Sequence, residues 1–171
     1  MNRTLNAKRR TSKAEIFEIL AEIKDPEVPV LDIVELGIVR NAVFEKETLQ
    51  IDITPTYSGC PAMRAIEDEI VSTLHAKGFE NVVVKKVFSP VWTTDWLSED
   101  AKRKLKEYGI APPGKAVPLD PFSSDEKQTI TICPFCDSSE IELRSQFGST
   151  ACKALYYCKA CSQPFEHFKC I

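Results

Sequence analysis

The sequence predicts an α+β protein, a small two-layer sandwich with a largely antiparallel sheet, followed by a β-rich zinc ribbon. Helical and strand-like apolar patterns alternate in the first 110 residues, six of the seven cysteines follow residue 132, and a proline-rich stretch separates the two regions. We therefore predict a compact α+β domain over residues 12–110, a Pro-rich linker over 111–124 and a zinc ribbon over 125–171.

The composition of the 171-residue chain, with 43% hydrophobic and 27% charged residues, is typical of a soluble globular protein. No apolar run approaches the ~20 residues of a membrane span, and the polar, basic N-terminus lacks the apolar core of a secretory signal. We therefore expect a cytoplasmic protein, in which seven cysteines favour metal ligation or thiolate chemistry over disulfides. Residues 1–13 hold five basic side chains and no acidic one, and a frayed terminus is favoured there over a nucleic-acid-binding arm.

The first helix is predicted to begin after Ser12, because Ser12 and Glu15 have the spacing of a capping box. Apolar residues then recur at helical intervals, and Asp25-Pro26 ends the pattern. Two β-rich segments, 38–44 and 49–54, flank a polar turn and predict a hairpin. The remaining predicted elements, which complete the order α-β-β-α-β-α, are a helix from Pro61 to His75, a strand over 82–88 and a helix over 98–108.

Cys60 is the single cysteine of the first region, and its surroundings predict a tight turn that leads into a helix. Gly59 permits the turn and Pro61 suits the first helical position, which places Cys60 at or near the N-cap. Free N–H groups and the helix dipole would there favour a thiolate with a depressed pKa, suited to a nucleophile or a soft-metal ligand. A small buried cysteine at a loop–helix junction is an equally good interpretation.

Asp25 and Glu27 lie in a proline-rich loop, D-P-E-V-P, after the first helix. Two carboxylates in a rigid loop could supply acid–base or hard-metal chemistry. A helix C-cap and a solvated loop acid are the commoner roles for such residues, and the sequence places neither carboxylate relative to Cys60. The chain has two histidines, His75 and His167, so a Cys–His hydrolase is poorly supported.

The strongest motif is a pair of CxxC knuckles, Cys133-Pro-Phe-Cys136 and Cys158-Lys-Ala-Cys161, separated by 21 residues. Two such turns present four thiolates to one ion in a tetrahedron, as in structural zinc sites. The residues between them alternate as in a hairpin, and so small a region needs a metal or another staple to fold. We predict a zinc ribbon with four cysteine ligands, and a rubredoxin-like iron centre or an iron–sulfur cluster is the alternative for the same ligands.

The charge of the ribbon argues against nucleic-acid binding. Residues 125–171 hold five basic and six acidic side chains, so they present no basic surface to phosphates. Docking to a protein or simple structural stapling is the better interpretation. Cys152 and Cys170 exceed the needs of one metal site; we interpret them as small buried residues, with a thiol pair that handles metal or electrons as the alternative.

Two sets of motifs resemble a known family. Asp25-Pro-Glu27, Leu36–Val39 and Thr56–Ala62 resemble the SufT-like iron–sulfur assembly domain. From about residue 12 onward, the chain resembles the PaaD (PaaJ) subunits of phenylacetyl-CoA epoxidase systems. The motifs of this second resemblance are Thr94–Trp96, Gly109–Pro113, the two knuckles, Phe147–Tyr156, Pro164-Phe165 and Phe168–Cys170. Asp137 replaces the glycine of the common CPxCG knuckle, and aspartate tolerates the left-handed or turn conformation there.

The resemblance implies an accessory protein of phenylacetate degradation that matures or inserts the iron–sulfur or iron centre of the phenylacetyl-CoA epoxidase complex. Such a factor has no catalytic activity of its own, and its partners are the oxygenase and reductase subunits. The resemblance also implies transient iron or cluster contact at Cys60, with Asp25, Glu27 and Thr56 as neighbours. Two alternatives stay open: an integral electron-transfer or structural subunit of the oxygenase, and a nucleic-acid-associated zinc-ribbon protein, which the charge balance disfavours.

Overall fold

The structure, a computed structural model, describes residues 11–57, 59–114 and 131–169. These residues form two compact units, one ending at Trp92 and the other beginning at Thr93, and they confirm the α+β class with three α-helices and two sheets. Residues 1–10 of the basic N-terminal segment, and Cys170, lie outside the described residues. Within the described part of the chain, no helix is both long enough and apolar enough to cross a membrane.

The first unit follows the predicted element order. Its elements are α1 (Lys13–Leu20), β1 (Val39–Glu45), β2 (Thr48–Ile53), α2 (Ala62–Ala76) and β3 (Val82–Lys86). The capping box is confirmed, because the Ser12 hydroxyl accepts from the Glu15 N–H and the Glu15 carboxylate accepts from the Ser12 N–H. Helix α1 is shorter than its apolar pattern suggested, since the N–H groups of Glu22 and Ile23 donate three residues back, the tighter bonding that closes many helices.

The sheet of this unit has the order β1-β2-β3. Strands β1 and β2 form the predicted antiparallel hairpin, whereas β2 and β3 are parallel. The parallel pair follows from α2, because a helix that connects two neighbouring strands returns the chain to the end of the sheet from which it started. The carboxyl ends of β2 and β3 therefore share one edge with the start of β1, and Ile53 pairs with both Val39 and Lys86 there.

The core of the first unit lies between this sheet and its helices. On β2, alternate residues Leu49, Ile51 and Ile53 are at most 1% exposed, while Gln50 and Asp52 on the other face are hydrogen-bonded to each other. The helices supply the apolar residues Ile16, Leu20, Ile66, Ile70 and Leu74, all of them buried. The apolar residues that recur about every 3.6 positions on the helices thus pack against those at every second position of the strand, and together they form one apolar layer.

The second unit contains α3 (Glu99–Glu107), β4 (Ile110–Ala111), β5 (Ile141–Ser145), β6 (Lys153–Cys158) and β7 (Pro164–Phe168), preceded by a 3-10 helix over Thr94–Trp96. Its sheet has the order β4-β7-β6-β5, in which β4 is parallel to β7 and the other pairs are antiparallel. This grouping differs from the sequence-based boundary, which assigned α3 and Ile110 to the first domain and Ala111 to the linker. The physical reason is that β4 forms its backbone pairs with β7 and that Ala111 is buried in the core of the second unit.

Trp92 provides a test of the first unit. Its side chain is 2% exposed, and its Nε1 donates a 2.7 Å hydrogen bond to the carbonyl of Leu36. We expect Trp92→Phe to lower the free energy of unfolding by about 1–3 kcal/mol, because a buried carbonyl loses its donor. Urea denaturation followed by circular dichroism measures this. Val91→Ala is the control, since Val91 is 77% exposed and should change stability by less than about 0.5 kcal/mol; equal stabilities of the two variants would contradict the prediction.

Candidate functional site

The two knuckles of the second unit bring the four predicted cysteines together. Their sulfurs all lie within 4.8 Å of one another, with Cys133 3.6 Å from Cys161 and Cys136 3.6 Å from Cys158. Four sulfurs at the usual ~2.3 Å from a tetrahedral zinc ion would be about 3.8 Å apart, so this donor set fits such an ion. Among the described residues, these four cysteines are the one group of three or more Cys, His, Asp or Glu side chains whose ligand atoms lie close enough together to hold an ion.

The two knuckles have the same local geometry. The N–H of Asp137 donates to the carbonyl of Cys133, and the N–H of Ser162 donates to the carbonyl of Cys158, at 3.0 and 2.9 Å. The residue after the second cysteine has a positive φ in both turns, 57° at Asp137 and 59° at Ser162. This is the left-handed region that glycine usually occupies and that short polar side chains tolerate. The expectation that the first knuckle keeps its turn with Asp137 is confirmed.

Backbone amides and crowding act on the sulfurs in opposite directions. The N–H of Cys161, with help from neighbouring sulfurs and the N–H of Ala160, lowers the pKa of Cys158 to about 7. Desolvation, together with contacts to Cys136 and Cys158, raises the pKa of Cys161 to about 12. The knuckle turns therefore favour the thiolate, which is the ligating form, while crowding limits how much negative charge four sulfurs hold unless a cation compensates it.

Cys60 lies in the connection from β2 to α2, one residue before Pro61, the N-cap residue of α2. Its N–H donates to the carbonyl of Tyr57 and its carbonyl accepts from the N–H of Met63, at 3.3 and 3.4 Å. Gly59 has a φ of +83°, so a side chain at this position would be strained. The turn thus holds a half-buried thiol in the loop that follows β2.

The prediction of a depressed pKa at Cys60 is wrong, because the structure raises the pKa of this thiol. Burial is the largest cause, and the negative charges of Glu27 and Asp25 add to it. The N–H of Ala62 at the helix start and a hydrogen bond with Tyr57 lower the pKa, as the helix-terminus argument requires. These favourable contacts are outweighed by desolvation and by the two carboxylates.

The structure also brings Glu27 and Asp25 within electrostatic range of Cys60, a relation the sequence did not establish. Asp25 is 5% exposed, and its Oδ1 accepts from the N–H groups of Glu27 and Val28 at 2.8 and 2.7 Å. Asp25 is therefore a buried residue that shapes the loop holding Glu27, which differs from the solvated or C-capping role considered for it. Thr56 is buried in the Cys60 connection.

Asp32 is a structural residue that the sequence analysis did not single out. Its Oδ1 accepts from the N–H groups of Val34 and Glu35, while Oε2 of Glu35 accepts from the N–H of Asp32 at 3.2 Å. Burial raises the pKa of Asp32. The reciprocal bonds fix the turn that leads to Leu36, whose carbonyl binds Trp92. The Asp-x-x-Glu spacing, which is that of a capping box, was the available signal.

Cys152 lies outside the four-sulfur group. It is 2% exposed, and its sulfur lies 3.0 Å from Oγ1 of Thr150. This environment agrees with a small buried residue, which was the favoured interpretation of Cys152.

Comparisons with known proteins identify the family of the chain. The chain is 45% identical over 157 residues, 92% of each chain, to an Escherichia coli K12 protein that is named as one of the subunits of a "Putative 1,2-phenylacetyl-CoA epoxidase". The chain belongs to the PaaD family. The profile of the PaaD zinc beta ribbon domain matches residues 118–169, and that of the iron–sulfur cluster assembly proteins matches residues 13–85. The resemblance stated from the motifs is thus confirmed.

About half of the chain is similar to a second group of proteins. The chain is 36% identical over 95 residues to the Bacillus subtilis Fe-S protein maturation auxiliary factor YitW, a match that covers 54% of this chain and 92% of that protein. It is also 36% identical over 83 residues to the factor SufT of Staphylococcus aureus, 47% of this chain and 93% of that protein. A crystal structure of a DUF59 domain from Bacillus anthracis matches with a TM-score of 0.50 and 27% identity, over 54% of this chain and 90% of that one.

For the four-sulfur group, we expect Cys136→Ser to abolish stoichiometric metal binding and to leave the second unit sensitive to protease, because three thiolates remain. Metal analysis of the purified full-length protein and limited proteolysis measure this. Cys152→Ser is the matched control, since it removes a cysteine of the same unit that lies outside the group. A Cys136→Ser protein with a full complement of metal and an intact second unit would contradict the prediction.

For Cys60, we expect Glu27→Gln to speed alkylation by iodoacetamide at neutral pH. Removing a negative charge lowers the pKa of the thiol and increases its thiolate fraction. Mass spectrometry of the Cys60 peptide at several pH values gives the rates. Glu22→Gln is the control, because Glu22 pairs with Lys77 and is not among the charges that shift Cys60. Equal rates in Glu27→Gln and wild type would show that Glu27 does not act on the thiol.

Proposed function

We propose that this protein is a cytoplasmic accessory factor of phenylacetate degradation, which matures or inserts the iron–sulfur or iron centre of the phenylacetyl-CoA epoxidase complex. The observation that supports this is that one chain combines similarity to Fe-S protein maturation factors with similarity to an epoxidase subunit. About half of the chain is similar to two Fe-S protein maturation factors over more than nine tenths of their length, and 92% of the chain is similar to a protein named as an epoxidase subunit. The protein has no catalytic activity of its own, and its partners are the oxygenase and reductase subunits of that system.

Cys60 is the residue that contacts iron or a cluster in this proposal. Its sulfur is half-buried at the start of α2, beside the loop that Asp25 shapes and near the carboxylate of Glu27. The raised pKa means that the thiol keeps its proton at neutral pH, so ligation releases a proton as the metal arrives. Asp25, Glu27 and Thr56 serve as its neighbours, with Asp25 acting through the shape of the loop.

The four-cysteine group holds one structural zinc ion in this proposal, and the ribbon serves as a structural or docking module. Its sulfur spacing supports a tetrahedral ion, and the zinc would link the two knuckles and so stabilise the small unit. The same four sulfurs also suit iron, which would favour the alternative of an electron-transfer subunit. A visible spectrum of anaerobically purified protein separates the two, because a four-thiolate iron site absorbs visible light and zinc does not.

The test of this function is the iron content of the epoxidase components. We expect a phenylacetate-degrading strain that carries Cys60→Ser in place of the wild-type chain to grow poorly on phenylacetate. Its oxygenase and reductase polypeptides should accumulate normally, with iron and acid-labile sulfide below the wild-type level. Serine is nearly isosteric with cysteine, so the variant itself should stay folded and keep its ribbon metal.

The control strain carries Cys152→Ser, which removes a buried thiol distant in sequence from Cys60 and outside both proposed sites. This strain should show wild-type iron loading. Full growth and full iron loading with Cys60→Ser would overturn the role of Cys60 and return it to the interpretation of a small buried cysteine.

A further inference from the structure

We propose that two separate stretches of chain support the four-cysteine centre: the stretch that contains the knuckles, and residues 99–111, which form α3 and β4. Metal retention then depends on α3 and β4 as well as on the knuckles. The family profile of the ribbon matches residues 118–169, whereas α3 and β4 lie at 99–111, before that region begins. Three contacts within the second unit support the inference. It goes beyond the proposed function, because it concerns what holds the metal and not what the protein matures.

The first contact is the strand β4. Ile110 and Ala111 pair with Glu166 and His167 of β7, so this short strand is the edge strand of the ribbon sheet. Ala111 is 1% exposed and shares a buried cluster with Cys133 and Cys158. Since these two cysteines belong to different knuckles, Ala111 helps to form the apolar support common to both.

The second contact is between Gly109 and Phe135, the residue in the middle of the first knuckle. Gly109 has a φ of +90°, and a Cβ atom placed there would lie 3.1 and 3.2 Å from two carbons of the Phe135 ring. The ring thus rests on the bare backbone at Gly109. A side chain at position 109 requires the Phe135 ring, which is 54% exposed, to shift by a few tenths of an ångström, and Phe135 lies between Cys133 and Cys136 in the chain.

The third contact is the ion pair between Lys106 of α3 and Asp137. Nζ of Lys106 lies 2.5 Å from Oδ1 of Asp137, which directly follows Cys136 and takes the left-handed turn of the knuckle. Both side chains are well exposed, so the pair contributes little stability. Its role is to orient the turn, while the buried Ala111 supplies most of the support and the contact of Gly109 with the half-exposed Phe135 ring adds to it.

These contacts would couple metal binding to the docking of α3 and β4, and such a coupling is reciprocal. If α3 and β4 stabilise the arrangement of the sulfurs that binds metal, then metal stabilises the docking of α3 and β4 by the same free energy. Removing the metal should therefore loosen residues 105–111 together with the knuckles, although none of residues 105–111 is a cysteine. A ribbon that folded independently around its metal would leave that segment unaffected.

The test with variants compares two glycines of similar conformation in the full-length protein loaded with zinc. Gly109→Ala should speed zinc transfer to a chromogenic chelator by about tenfold, the lower end of the usual effect of disturbing residues around metal ligands. Gly78→Ala is the matched control, because Gly78 has a φ of +91° but nothing within 4 Å of its Cβ position. It introduces the same backbone strain outside the second unit, and its zinc transfer should stay within about twofold of wild type. Equal transfer rates in the two variants would overturn the proposal.

A second measurement needs no substitution and covers the case in which Gly109→Ala fails to fold. Hydrogen exchange of the zinc-loaded wild-type protein is followed by mass spectrometry before and after chelation. We expect chelation to speed exchange in peptides over residues 105–111 and in the knuckle peptides, with peptides of α2 unchanged. Unchanged protection of residues 105–111 after zinc removal would overturn the proposal. Neither measurement depends on epoxidase maturation, so its outcome is independent of the proposed function.

Discussion

The close packing of four cysteine sulfurs is the interaction on which the second unit depends. One buried cluster of this unit consists of Ala111, Cys133, Cys158 and Phe165, so two of its four members are themselves metal-ligand candidates. Other apolar side chains of the unit are buried as well, among them Leu105 and Phe168. A metal bound by the sulfurs would add to the stability of this packing, because binding to a site formed only in the folded state stabilises that state.

In the first unit, the corresponding constraint is the crossover through α2. It makes β3 parallel to β2, so that the loops after both strands leave the sheet at one edge. Cys60 lies in one of these loops, and the turns built by Asp25 and Asp32 precede β1, which begins at the same edge. A thiol and two carboxylates distant in sequence are thereby brought within electrostatic range.

Local signals predicted much of this structure. The capping box at Ser12, the hairpin and both knuckles depend on residues only a few positions apart, and each is present. The pairing of β4 with β7 was not predictable in this way, because its partners are more than 50 positions apart and β4 is only two residues long. The pKa prediction for Cys60 failed for a related reason: the helix start is a local feature, whereas burial and the charge of Glu27 arise from tertiary structure.

The two kinds of cysteine in this chain differ in what surrounds the sulfur, and the difference suits different tasks. In the second knuckle, backbone N–H groups lower the pKa of Cys158 while desolvation raises the pKa of Cys161, so the clustered sulfurs carry their combined negative charge when a cation compensates it, which favours lasting ligation. Around Cys60, burial and carboxylates raise the pKa, so a proton competes with any metal for the sulfur. A proton that returns readily to the sulfur weakens metal binding there. Under the proposed function this is useful, because a maturation factor has to release its iron or cluster to another protein, whereas a structural centre has to keep its ion.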